Sequence, residues 1–142
     1  MNSNSDNPRI GKAFEKAVKK WAVDYYDCGF NEEQPVDIGN PARPHKFDLV
    51  SQDSKIIIEC KCYIWTDGGN VPSAKLATLD EAVLYLRSVT SSATKVIAMK
   101  KDYNKKKGIT LAEYFCDKKG HLLEDIKIVE FDEEGKSCFV RK

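Results

Sequence analysis

Asp48, Glu59 and Lys61 are the residues of this chain whose types and spacing could do chemistry together. Lys46-Phe47-Asp48-Leu49-Val50 and Lys55 to Cys62 flank Gln52-Asp53-Ser54, and their alternation predicts a β-hairpin. With Asp53 and Ser54 as the loop, Val50 faces Ile57 and Asp48 faces Glu59. The two carboxylates then share one face, with Cβ atoms about 4.5–5.5 Å apart. Lys61 lies two residues beyond Glu59 and points the same way. A four-residue loop makes the acids diagonal neighbours on that face. Only a slip of one residue, or a bulge, separates them.

Two like charges directly opposite one another destabilise a sheet, and a bound cation removes that cost. Carboxylate oxygens at this spacing suit Mg²⁺, which takes one or two protein carboxylates and fills its other positions with water and phosphate oxygens. Lys61 beside the pair would orient a water and stabilise charge developing on a phosphoryl group. The same register sets Lys46 opposite Lys61, so a plain cross-strand charge patch accounts for these residues equally well in an isolated hairpin. The other face, Phe47, Leu49, Ile56, Ile58, Cys60 and Cys62, is predicted core, with Val50 and Ile57 beside the acids.

The elements that would position this hairpin follow from periodicity. Asn7-Pro8 offers a helix cap and a first-turn proline. Ile10, Phe14, Ala17, Val18, Trp21 and Tyr25 then recur at helical spacing. Glu15 falls at the edge of that stripe between Gly11 and Ala22, with room to reach a neighbouring element; the alternative is an i,i+4 pair with Lys19. Residues 34–38 are a candidate strand, followed by a loop over 39–44. Residues 64–77, with Gly68-Gly69, form a long irregular stretch, of a length that is usually functional or mobile. Thr78-x-x-Glu81 predicts a capped helix to about Val89, and 94–100 a strand apolar through its middle and hence central. Thr110-x-x-Glu113 caps a further helix with Leu111, Tyr114 and Phe115 inward and Gly120 as its stop. A second hairpin spans 126–131 and 137–140. The expected class is α/β, a sandwich on a mixed sheet.

Asp48, ten intervening residues, then Glu59-Cys60-Lys61, preceded by helical Gly11-x-x-x-Glu15, resembles the PD-(D/E)XK nuclease superfamily. The resemblance covers about residues 8–100 and implies a restriction-endonuclease-like three-layer sandwich with an αβββαβ core and helices on both sheet faces. Residues 101–142 would extend the same single domain. It further implies Asp48, Glu59 and Glu15 as metal ligands, Glu15 directly or through water, and Lys61 as the group assisting the nucleophile. Phe47 stands where the motif name has proline. The implied cofactor is Mg²⁺, with Mn²⁺ as a substitute. The implied activity is endonucleolytic hydrolysis of DNA, and the implied assembly a homodimer, because duplex DNA offers two strands. Two other readings stay open: a non-catalytic nucleic-acid- or protein-binding module on the same fold, and a Holliday-junction-resolvase-like or toxin-type nuclease acting on branched DNA or RNA.

The remaining residues limit the field. The 142 residues carry 23 Lys and Arg against 22 Asp and Glu, a net charge of +1, which excludes a protein that coats nucleic acid by bulk charge. Residues 1–71 hold 9 basic and 11 acidic side chains and residues 72–142 hold 14 and 11, so the positive excess lies in the later half. Arg43, Lys46 and Lys75 are the expected backbone contacts nearest the acids, and Lys105, Lys106 and Lys107 are the further ones. Tyr103 beside the lysine run could stack on a base. Met1 to Asp6 is polar without an apolar segment, and no run is long enough to cross a membrane. The five cysteines lack scaffold or zinc-knuckle spacing. A cytoplasmic location with reduced, mostly buried thiols is expected. Only His45 and His121 are present, too few for a histidine-based site.

Overall fold

The computed structural model describes residues 8–142. Asn7, the expected cap of the first helix, lies outside the described residues. The chain runs α1 (Pro8–Tyr26), β1 (Phe30–Ile38), β2 (Arg43–Ser51), β3 (Ile56–Lys61), α2 (Ser73–Arg87), β4 (Thr94–Lys100), β5 (Tyr103–Asn104), β6 (Ile109–Thr110), α3 (Leu111–Lys119), β7 (Lys127–Phe131) and β8 (Ser137–Arg141). Six strands form one mixed sheet in the order β1-β2-β3-β4-β7-β8, while β5 and β6 form a separate two-stranded ribbon. β3, β4 and β7 run parallel in the middle, and antiparallel hairpins close both sides. Among the described residues, no helix is long and apolar enough to cross a membrane.

Two hydrophobic cores sandwich the sheet. Val18 and Ala22 of α1 pack on Leu49, Ile58, Val96, Ala98 and Val129. Leu79 and Leu86 of α2, with Leu111 and Phe115 of α3, pack on Val50, Ile57, Ile97, Met99 and Ile128. Successive residues of the central strands thus enter opposite cores. That is why these strands read as continuous apolar runs rather than as alternation. The expectation that Val50 and Ile57 lie on a non-core face is corrected: both are fully buried under α2 and α3.

Local signals set most element boundaries. α1 ends where Asp27 takes a left-handed conformation, φ 53°. Thr110 caps α3 as expected: its hydroxyl accepts from Glu113 N–H at 3.1 Å, while Glu113 accepts from Thr110 N–H at 2.8 Å. Gly120 is not the stop, since its φ of −51° is helical; the chain continues through a 3-10 turn, Gly120–Leu122, before Glu124 turns at φ 50°. β1 begins at Phe30, four residues before the expected 34, because its pairing with β2 extends from Phe30↔Ser51 to Ile38↔Arg43.

α2 begins at Ser73, not at Thr78. Pro72 opens it, its carbonyl accepting from the Lys75 and Leu76 N–H groups. Thr78 is therefore interior; its hydroxyl reaches back to the Lys75 carbonyl at 2.7 Å and meets the Tyr63 hydroxyl at 2.6 Å. A capping pattern can thus fall inside a helix whose true start is set by proline. Thr110 is 3% exposed and caps the helix whose Leu111 and Phe115 fill the larger core. Thr110→Ala should lower stability by about 1–2 kcal/mol. In a urea titration the midpoint should fall with the slope unchanged.

Candidate active site

The β2–β3 turn holds the acids in register. Ser51, 1% exposed, donates its hydroxyl to Asp53 at 2.7 Å and accepts from the N–H groups of Lys55 and Ile56 at 3.1 and 2.9 Å. Ser54 completes the turn at φ 62°. Although the turn runs from Ser51 to Ser54 rather than over two residues, the ladder pairs Leu49 with Ile58 and Val50 with Ile57, the expected register.

That ladder stops one residue later, where the acids take over its hydrogen bonds. Glu59 Oε1 accepts from Asp48 N–H at 2.8 Å, and Asp48 Oδ2 accepts from Cys60 N–H at 2.8 Å. Each carboxylate bonds the backbone of the opposite strand in place of a carbonyl. Backbone donors that a parting pair of strands would leave unsatisfied are thereby capped. Asp48 Oδ1 and Glu59 Oε2 take no part in these bonds.

A switch of faces sits at the same place. Phe47 packs with Val50 in the α2 core although Leu49 lies in the α1 core, so alternation along β2 fails once, at Asp48. On β1, Phe30 belongs to the α1 core while Val36 and Ile38 pack on the other. The residue facing Asp48 in that register is Glu33, whose φ is 48°. This paired kink brings Asp48 within electrostatic reach of Glu15 and Lys12 on α1.

The electrostatics are those of crowded, half-sealed acids. Burial raises the Asp48 pKa above the ordinary carboxylate range, against its bond from Cys60 and the attraction of Lys61. Burial, then the Asp48 charge, pushes Glu59 up to about 7. Glu15 is raised by burial and then by Asp48. Lys12 bridges Glu15 at 3.4 Å and Glu33 at 3.5 Å. The expected alternative of a Glu15–Lys19 pair is not formed, since Lys19 reaches Glu32 on β1 at 3.0 Å. Lys12 and Glu33 were not legible as site residues: Lys12 carried only an i,i+3 spacing to Glu15, and Glu33 depends on a left-handed backbone with no sequence signal.

The other expected residues divide into groups. The Lys61 and Lys75 ammonium groups lie 6.0 and 5.6 Å from the Tyr63 ring centroid, which gathers both around one aromatic. Arg43 and Lys46 are exposed on β2, opposite Ile38 and Pro35 of β1, and the β2–β3 ladder ends before it would set Lys46 against Lys61. Lys105, Lys106 and Lys107 are exposed beyond β5, and the first two line a separate groove. His45 stacks on Tyr85 at 3.9 Å between centroids. The thiols are less buried than expected: four are half-buried and Cys138 is exposed.

Among the described residues, no group of three or more His, Cys, Asp and Glu side chains is arranged to hold a metal ion. Two carboxylates with one uncommitted oxygen each, both raised in pKa by burial, fit a cation that keeps most of its own water rather than a closed protein cage. Compared with protein families, curated proteins and solved structures, the chain gives no match. The site rests on its own geometry.

Between about pH 4.5 and about 7 the native protein keeps a proton on Glu59 that the unfolded chain has lost. Unfolding then releases that proton, so stability falls as pH rises through the window and levels off above it. In EDTA, wild type should melt lower at pH 8 than at pH 5. Glu59→Gln keeps the acceptor for Asp48 N–H without the charge and should be the more stable of the two at pH 8, by up to about 3 kcal/mol. The two should converge at pH 5 in paired thermal melts.

Proposed function

We propose that this chain is a Mg²⁺-dependent endonuclease of PD-(D/E)XK type, hydrolysing DNA phosphodiester bonds on a restriction-endonuclease-like fold. One observation carries the reading. Asp48 and Glu59 meet where β2 and β3 part, each fixed by the other strand's backbone and each with an oxygen to spare. The element order α1-β1-β2-β3-α2-β4 and a mixed sheet with helices on both faces are what such a site requires around it.

In this reading Asp48 and Glu59 would hold the cation, with Glu15, whose Oε1 is engaged by Lys12, adding to the site directly or through water. When bound, Mg²⁺ supplies Lewis-acid polarisation of a phosphoryl oxygen and offsets the charge between the acids. Lys61 donates hydrogen bonds to the attacking water or to a phosphoryl oxygen, where negative charge grows as the new P–O bond forms and the ester oxygen departs. The backbone clamps keep both carboxylates from rotating away, which limits the reorganisation that attack requires. Arg43, Lys46 and Lys75 supply charge for neighbouring phosphates.

The clamps also favour a second reading. Carboxylates that cap backbone donors hold the strands apart whether or not a cation binds, as a non-catalytic binding module on this fold would need. A plasmid and oligonucleotide cleavage assay separates the two. With Mg²⁺ or Mn²⁺, wild type should cut, EDTA should abolish cutting, and Lys61→Ala should slow it by about 10²–10³-fold. Equal rates for wild type and Lys61→Ala would sink the proposed site.

A further inference from the structure

Beyond β3 and β4 the chain forms a second concavity of about 450 Å³, lined on one side by Trp65 to Gly69 and on the other by Asp102 to Lys106. Its walls are locked to each other. Trp65 donates its backbone N–H to the Asp102 carboxylate at 2.8 Å and its indole N–H to the Asp102 carbonyl at 2.9 Å. The Asn104 amide, 7% exposed, donates to the Gly69 carbonyl at 2.9 Å and accepts from the N–H groups of Lys106 and Lys107, both at 3.0 Å. Gly69 sits at φ 74°, and an added Cβ there would lie 3.4 Å from the Asn104 amide nitrogen, so the tie depends on glycine. Buried polar groups hold the two loops together, and the side chains these loops carry outward are exposed. Tyr103 is 56% exposed, and Lys105 and Lys106 are exposed beside it.

We infer that this groove binds an unpaired nucleotide of the DNA strand being cut, with Tyr103 stacked on its base and Lys105 and Lys106 on the flanking phosphates. The inference rests on the proposed nuclease reading and names its substrate class: single-stranded DNA, or a duplex with a single-stranded arm at the cleavage point. A base within a duplex is already stacked on both sides, so an exposed ring on a rigid wall gains from it only at an unpaired position, where stacking contributes without regard to sequence. The two lysines add the salt-sensitive part of the affinity. The lining also holds two acids, so the lysines act locally rather than through a net charge of the groove: the Asp102 carboxylate is turned to the Trp65 N–H, and Asp67 is exposed on the glycine-turn side. Reach is appropriate too. Four residues of extended chain from Lys61 to Trp65 span at most about 14 Å, roughly four base steps at about 3.4 Å per step.

The test uses fluorescence anisotropy in EDTA, where nothing is cut, with a labelled twelve-nucleotide oligo-dT and a twelve-base-pair duplex as probes. The single strand should bind wild type more tightly than the duplex does. Tyr103→Ala should weaken single-strand binding about ten-fold while Tyr103→Phe, which keeps the ring, should not. Lys105→Ala with Lys106→Ala should reduce the single-strand salt slope by about one to two. Single-strand binding unchanged in Tyr103→Ala, or a duplex bound at least as tightly as the single strand, overturns the inference even if Lys61-dependent cleavage is found. Tyr103-dependent binding without any metal-dependent cleavage supports the groove and rejects the nuclease reading alone.

Discussion

The hydrogen bonds by which Asp48 and Glu59 each take a backbone N–H of the opposite strand, at the end of the β2–β3 ladder, are the interaction on which the rest of this structure turns. A hairpin in the middle of a sheet ordinarily continues its ladder until a strand ends. Here it stops while both strands go on, and the donors left over are met by side chains that carry charge. The cost is visible in the acids themselves, whose pKa values rise because they are buried together. Ion pairs on α1 and the Lys61 ammonium lessen that cost without removing it.

How much of this was legible depended on whether a feature is local. The register was, because the turn chemistry of Ser51, Asp53 and Ser54 sits in the sequence beside the residues it aligns. The Thr110 cap was, because both of its partners lie within one helical turn. The central position of β4 followed from its apolar run. What could not be read depends on backbone states or distant partners. The left-handed Glu33 carries a side chain that gives no reason to expect it. The start of α2 was hidden because Thr78-x-x-Glu81 imitates a cap that Pro72 had made unnecessary. The union of the Trp65 and Asn104 loops joins residues about 35 apart in the chain, through bonds that no periodicity announces.

The same logic divides the chain's positive charge. Lys61 and Lys75 meet at Tyr63, whose hydroxyl is anchored on α2 by Thr78. Lys105 and Lys106 belong to the locked groove beyond the strand ends. A net charge near zero therefore conceals an acidic centre on the α1 side, with cations set around it by different elements. Each group of cations is fixed by an aromatic or an amide rather than by ion pairing alone, so its position does not depend on the acids it surrounds.

The change of faces at Asp48 makes that residue a pivot between two otherwise separate interiors. Phe47 is held by one core and Leu49 by the other, and the peptide units between them carry the angle at which the carboxylate is presented. Because the carboxylate is clamped to the Cys60 N–H, its placement is tied through those peptide units to the packing of both cores. A substitution deep in either core can retune the site mechanically, without altering any charge in it.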